Sequence, residues 1–159
     1  MAEKLAGPQE AALDIARAGL SDYGSLARGG IELYRGNVKN AITSLKRANA
    51  DLRAGPSIDV RIVGTRLIAA ETLASALERK GEIRAAAEVL EPFETNLVFD
   101  PEDVLASPAE AWFHLARLYR KLGRIDEANR IESELRVLFA DADRDYQLAR
   151  LLLQSSPSQ

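Results

Sequence analysis

The chain contains no cysteine and only one histidine among its 159 residues. Without cysteine there is no disulfide framework, no thiolate zinc site and no thiol nucleophile. A single histidine excludes a multi-histidine metal cage and leaves little scope for imidazole acid–base chemistry. Long apolar runs are missing too: stretches such as Leu151–Leu153 fall far short of the roughly 18 residues that span a bilayer. The opening Met1-Ala-Glu-Lys-Leu-Ala-Gly-Pro8 has no apolar core of the kind a secretory signal needs. A soluble, cytoplasmic protein with no membrane insertion is therefore expected. The net charge is −3, so no polybasic footprint points to nucleic acid.

What the chain does have is 47% apolar and 28% charged residues, an ordinary globular balance. The length suits one domain, read as residues 1–154 with a disordered tail at 155–159. Apolar spacing is helical nearly throughout, with no alternating strand pattern. A first region runs from Pro8 to about Arg35, with Leu13, Ala16, Leu20, Tyr23, Ala27, Gly30 and Tyr34 on one face. A second helix spans Val38 to about Arg53, with Val38, Ala41, Ile42, Leu45, Ala48 and Leu52 inward. Ser57 is placed to cap a third helix, Ile58 to Lys80, whose stripe is Val63, Leu67, Ala70, Leu73, Ala74 and Leu77. Another helix follows from Ile83 to about Glu91, where Pro92 ends or kinks it. After an irregular stretch, 92–107, the run Ser107-Pro-Ala-Glu110 combines an N-cap, a proline at the first helical position and a capping box. That helix reaches Leu122, the next runs from Ile125 to about Ala140, and a last amphipathic helix covers about 143–153.

Three places share one punctuation: Gly36-Asn-Val-Lys-Asn-Ala41, Gly81-Glu-Ile-Arg-Ala-Ala86 and Gly123-Arg-Ile-Asp-Glu-Ala128. Glycine permits a tight reversal, the branched residue seals the hairpin end, and alanine lets two helix backbones approach closely. Helix pairs that repeat in this way stack to bury their apolar faces, forming a solenoid.

The segment from Trp112 through Leu115-Ala116, Tyr119 and Gly123 to Ala128 resembles the tetratricopeptide repeat family. Ala70, Leu73-Ala74, Leu77, Gly81, Ala86 and Leu90 repeat the pattern without its aromatics. The first unit fits after a one-residue shortening before Gly36. Glu132 departs from the family, standing where a bulky apolar residue is usual. The resemblance implies an all-α, right-handed α-solenoid of about three helix hairpins, over units 8–54, 58–94 and 107–140, plus a C-terminal capping helix. The stretch from Phe139 to Tyr146 and on to Leu152 is similar to the end of repeat regions in some bacterial receptor kinases and regulators.

In that family the first helix of each pair lines a concave groove that receives an extended or helical peptide. By register, the groove residues would be Ile68, Glu71, Ser75, Glu78 and Arg79 in the second unit. Those of the third would be Glu110, Phe113, Arg117, Arg120 and Lys121. Arg117, Arg120 and Lys121 would give the groove a basic edge, suited to acidic side chains or a terminal carboxylate. The carboxylate clamp known in the family requires Lys and Asn where this chain has Glu71 and Ser75, and Glu110 and His114. A chaperone-tail receptor is therefore not expected.

Catalytic, metal and cofactor sites are not expected either. His114 has no nucleophile or acid motif beside it and reads as a surface or interhelix residue. Asp141, Asp143 and Asp145 alternate, but a calcium loop would need a glycine and a glutamate where Tyr146 and Leu152 stand. Arg28-Gly-Gly30 lacks a preceding strand and a phosphate-loop lysine, leaving close helix packing as its use. Trp112 and Tyr119 are assigned to the core. The expected function is a non-enzymatic protein–protein interaction module. The alternatives are a self-associating, homo-oligomeric domain of a larger regulatory protein and a helical accessory domain of an enzyme.

Overall fold

The computed structural model describes residues 23–54, 60–94 and 108–140, and among these residues the secondary structure is entirely helical. Helix α1 covers residues 23–34. It is followed by α2 (Val38–Ala54), α3 (Val60–Lys80), α4 (Ile83–Leu90), a 3-10 turn (Glu91–Phe93), α5 (Pro108–Lys121) and α6 (Ile125–Leu138). The expected caps Ser57 and Ser107, the capping helix at 143–153, the aspartates at 141, 143 and 145, and the tail at 155–159 lie outside the described residues. The chain divides into two compact units at Ala76/Leu77, inside α3.

The repeated punctuation fixes local structure at all three places. Gly36, Gly81 and Gly123 each take a positive φ, at 80°, 86° and 76°, a left-handed conformation that is costly for any residue with a Cβ. Their amides bond to the carbonyls of Leu33, Glu78 and Arg120, and the following amides reach Glu32, Leu77 and Tyr119. This pair of bonds is the Schellman closure, which satisfies carbonyls that a helix end leaves open. The next helix then starts on the branched residue each time, at Val38, Ile83 and Ile125. One turn later, Ala41, Ala86 and Ala128 are fully buried, where only a methyl group separates adjoining backbones.

In the first unit, Ala41, Ile42, Leu45, Ala48 and Leu52 of α2 are buried as the spacing implies. From α3, Leu67, Ala70, Leu73 and Ala74 join the core, together with Ala69 and Ala76. The face assigned to α1 needs correction. Tyr23 and Ala27 are exposed and Tyr34 is 93% exposed, whereas Gly29 and Leu33 point inward. The reason is close approach. A Cβ on Gly29 would stand 2.7 Å from Leu45 Cδ2 and 3.4 Å from the Ala41 carbonyl oxygen. Helix α1 therefore packs through its bare backbone rather than through its tyrosines. The pair Gly29/Leu33 sits one residue nearer its turn glycine than Leu115/Tyr119 does, which is the shortening the first repeat requires.

In the second unit, α5 packs against α4, the 3-10 turn and α6. Leu115, Ala116, Leu118 and Tyr119 of α5 meet a core that includes Leu77, Ala87, Leu90, Ile131 and Leu135. Pro92 lies in the 3-10 turn directly after α4, as its missing N–H dictates. Trp112 is half-buried, and its indole N–H donates to the Phe93 carbonyl at 2.9 Å.

Neighbouring glycines in α1 offer a test of the close-packing account. Gly29→Ala should destabilise the protein by about 1–2 kcal/mol, because overpacking against Leu45 outweighs the gain in helix propensity. Gly30→Ala meets no atom within 4 Å and should stabilise it by roughly 0.5–1 kcal/mol. Urea melts of the two variants should move in opposite directions.

Candidate functional site

Helix α5 presents chemistry on more than one side because polar residues interrupt its apolar stripe. His114, Arg117 and Lys121 are spaced i, i+3 and i+7, which brings them onto one face. Glu78, near the end of α3, meets that face. His114 Nε2 lies 2.8 Å from Glu78 Oε2, Lys121 Nζ 2.5 Å from Oε1, and Arg117 Nη2 3.9 Å from the same Oε1. A carboxylate only accepts, so the imidazole nitrogen facing Glu78 is the protonated one. Burial by itself favours the neutral acid, but the bonds from Lys121 and His114 outweigh it and hold the Glu78 carboxyl below its ordinary pKa.

The three donors are not equally committed. The Glu78 side chain is only 18% exposed and that of His114 only 8%, but Arg117 is 53% and Lys121 47% exposed. At 3.9 Å, Arg117 contributes a charge beside Glu78 rather than a hydrogen bond. Its guanidinium is the more available of the two exposed cations.

Arg120, the third member of the expected basic edge, turns instead to α6. Its Nε and Nη2 bind the two oxygens of Glu132 at 2.8 and 2.9 Å, and Nη2 also donates to Asn129 Oδ1. Glu132 is 2% exposed and accepts a further bond from Arg136 at 3.2 Å. The hydrogen bonds to Glu132 raise the pKa of the Arg120 guanidinium. This explains the departure at Glu132, which occupies the repeat position of buried Leu90. A buried carboxylate is tolerated there because two arginines bind it.

A second network closes the other end of the hairpin. The Tyr119 hydroxyl lies 3.2 Å from both Glu91 and Glu94, and the Arg124 guanidinium stacks 3.9 Å above its ring. Burial, followed by the negative charge of Glu91, pushes the Tyr119 pKa up to about 12. Arg124 also binds Glu91 at 2.7 Å and Glu127, while Arg130 pairs with Glu94 and Glu134. Arg124 precedes α6 without any side-chain cap bond, since a guanidinium only donates and cannot accept from the first helical amides. A cavity of about 340 Å³ lies alongside, lined by Arg84, Glu88, Glu91, Leu122 and Arg124. It holds as many glutamates as arginines and no nucleophile. Among the described residues, no group of three or more His, Cys, Asp or Glu is arranged to hold a metal.

Of the remaining residues singled out in the sequence, Glu110, Arg79 and Ile68 are exposed, whereas Phe113, Glu71 and Ser75 are half-buried. Tyr119 is buried as assigned. The structure thus brings Glu78, Arg117 and Lys121 together and separates Arg120 from them. Sequence reasoning missed the Glu132 pairing and the Glu91–Tyr119–Arg124 network. A signal for the first was available: a glutamate in a leucine position, four residues before Arg136.

Residues 109–129, comprising most of α5, the Gly123 turn and the start of α6, match the family model of the tetratricopeptide repeat. No curated protein matches the chain as a relative. Among the described residues, no helix is long and apolar enough to cross a membrane.

Two outcomes follow from the charge pairs. Arg120→Ala should cost roughly 3 kcal/mol, because Glu132 is left buried with one weaker partner, whereas Glu132→Leu should be close to neutral. Urea unfolding midpoints will show the difference. For Glu78 the folded-state pKa is depressed, so its stabilisation is present above the unfolded-state pKa and lost as pH falls through the folded value. The stability advantage of wild type over Glu78→Gln, measured by urea melts, should therefore shrink between about pH 5 and pH 3.

Proposed function

We propose that this chain is a protein-interaction module that receives a peptide or protein partner on the outward residues of its first-position helices. The contact would centre on Arg117 and Lys121, with Phe113 and Glu110 on the same helix and Glu78 and Arg79 beside them at the end of α3. The tetratricopeptide repeat match at 109–129 supports an interaction scaffold as the general role. One observation carries the finer reading. Arg117 sits more than half exposed, 3.9 Å from its nearest carboxylate, with hydrogen-bond donors to spare. A guanidinium in that state suits a partner's aspartate, glutamate or terminal carboxylate, which it can hold with two parallel bonds. The partner is accordingly acidic.

The reading is not an enzymatic one. His114 is the only imidazole, and its Nε2 is engaged by Glu78. Self-association is the second reading, and it draws on the exposed Tyr23, Ile31 and Tyr34 of α1, an apolar surface of the kind that attracts partners.

The test is binding of labelled synthetic decapeptides, rich in Asp and Glu and ending in a free carboxylate, followed by fluorescence polarisation. Amidated lysine-rich peptides serve as the control. Wild type should prefer the acidic set, and Arg117→Glu should weaken that binding at least about tenfold, the scale of losing a charge-assisted pair and gaining a repulsion. Circular dichroism should show the variant still folded. Equal binding of both peptide sets, or no effect of the variant, would overturn the assignment. If no peptide binds and the mass by light scattering climbs with concentration, the α1 surface becomes the interface.

A further inference from the structure

Resting on that reading, we infer that Glu78 is a built-in occupant of the anion site on α5, so that a partner's carboxylate must compete with it for Lys121 and Arg117. His114, Arg117 and Lys121 lie on successive turns of one helix and aim at a single point, where Glu78 supplies both oxygens. At the corresponding places before its own turn glycine, α3 carries Thr72, Ser75 and Arg79. The concentration of donors is therefore a property of α5 and not of the repeat scaffold.

Glu78 is likewise no scaffold requirement. Counting back from the turn glycines, its counterpart on α5 is Arg120, a residue of opposite charge that serves the contact with Glu132. What the scaffold uses at this point is only the backbone carbonyl, which accepts the Gly81 amide. The side chain is left to its own chemistry, and that chemistry is a carboxylate held where a ligand carboxylate would sit.

The local charge balance sets how the competition works. One negative charge on Glu78 faces two positive charges on Arg117 and Lys121. The surplus admits a second carboxylate at the exposed Arg117. Lys121, bound to Glu78 at 2.5 Å, has further donors for that second carboxylate, but its single charge is then shared between the two. Glu78 thus weakens acidic ligands in two ways: it repels their charge, and it already draws on the lysine charge they would use. It also excludes weakly charged ligands, which cannot displace it.

The experiment uses the full chain and the same acidic decapeptides. Glu78→Gln keeps the shape and a hydrogen-bonding oxygen but removes the charge. It should bind the acidic peptides about three- to tenfold more tightly than wild type, the size of one partly exposed charge interaction. A second readout needs no variant at this position. Because His114 is the only histidine, the imidazole nitrogen signals in an NMR spectrum belong to it, and couplings to the ring protons tell Nε2 from Nδ1. Adding acidic peptide to wild type should shift the Nε2 resonance as Glu78 moves, and Arg117→Glu should abolish the shift. If wild type binds the peptides but Glu78→Gln binds them equally or less tightly, or the Nε2 resonance stays in place, then Glu78 is not a competitor. If neither form binds acidic peptides, the assignment of the α5 face itself falls and this inference falls with it.

Discussion

Everything else in the described structure depends on the glycine-closed hairpin. At Gly36, Gly81 and Gly123 the same positive φ and the same pair of amide–carbonyl bonds link two helices with only two or three residues. That shortness removes the freedom to slide. Once the turn is set, the branched residue begins the next helix and the alanine one turn later must fall against the neighbouring backbone. Leu45, Leu90 and Glu132 then occupy one register position, four residues beyond that alanine. Local chain geometry therefore decides which side chains face each other before any side-chain preference acts.

Register explains how a glutamate comes to be buried. In the third hairpin the chain places a carboxylate where two hairpins place leucine, and the cost of removing it from water is met by Arg120 and Arg136. A bidentate pair has a stricter geometry than a leucine contact, so it ties α5 to α6 at one angle. The network of Tyr119, Glu91 and Arg124 does the same between α4, its 3-10 turn and the hairpin loop. Apolar burial supplies the drive to pack, and these charge pairs select one arrangement among many of similar burial.

Most of this fold could be read from the sequence because its signals are local. Glycine at a helix end, a branched residue two places on and an alanine three further have few structural solutions, and the helix boundaries follow from them. The face of α1 was not legible for an equally physical reason. Periodicity counts apolar side chains, and the tyrosines at 23 and 34 outweigh a glycine at 29, but a helix that packs by close approach buries what has no side chain. The basic edge was legible in composition and misleading in direction. Arg117, Arg120 and Lys121 lie within five residues, yet the middle one finds a carboxylate on α6, twelve residues further along the chain.

That division of labour is what makes α5 a candidate surface. A helix turns 100° per residue, so Arg117 and Arg120 diverge by about 60° around the axis. The difference carries one guanidinium towards α6 and leaves the other over Glu78 and solvent. Had both been paired inward, the helix would be a structural strut with no charge to offer. Had both pointed outward, Glu132 would be buried without its bidentate partner and the hairpin would lose its lock. Specific recognition requires a rigid base as well as an available group. Here the same short stretch supplies both, because Arg120 immobilises the helix from which Arg117 projects. The likeness to a repeat family explains the helix. The buried charge on Glu132, placed off the family's pattern, and the Glu78 carboxylate beside Arg117 and Lys121 give α5 a character of its own.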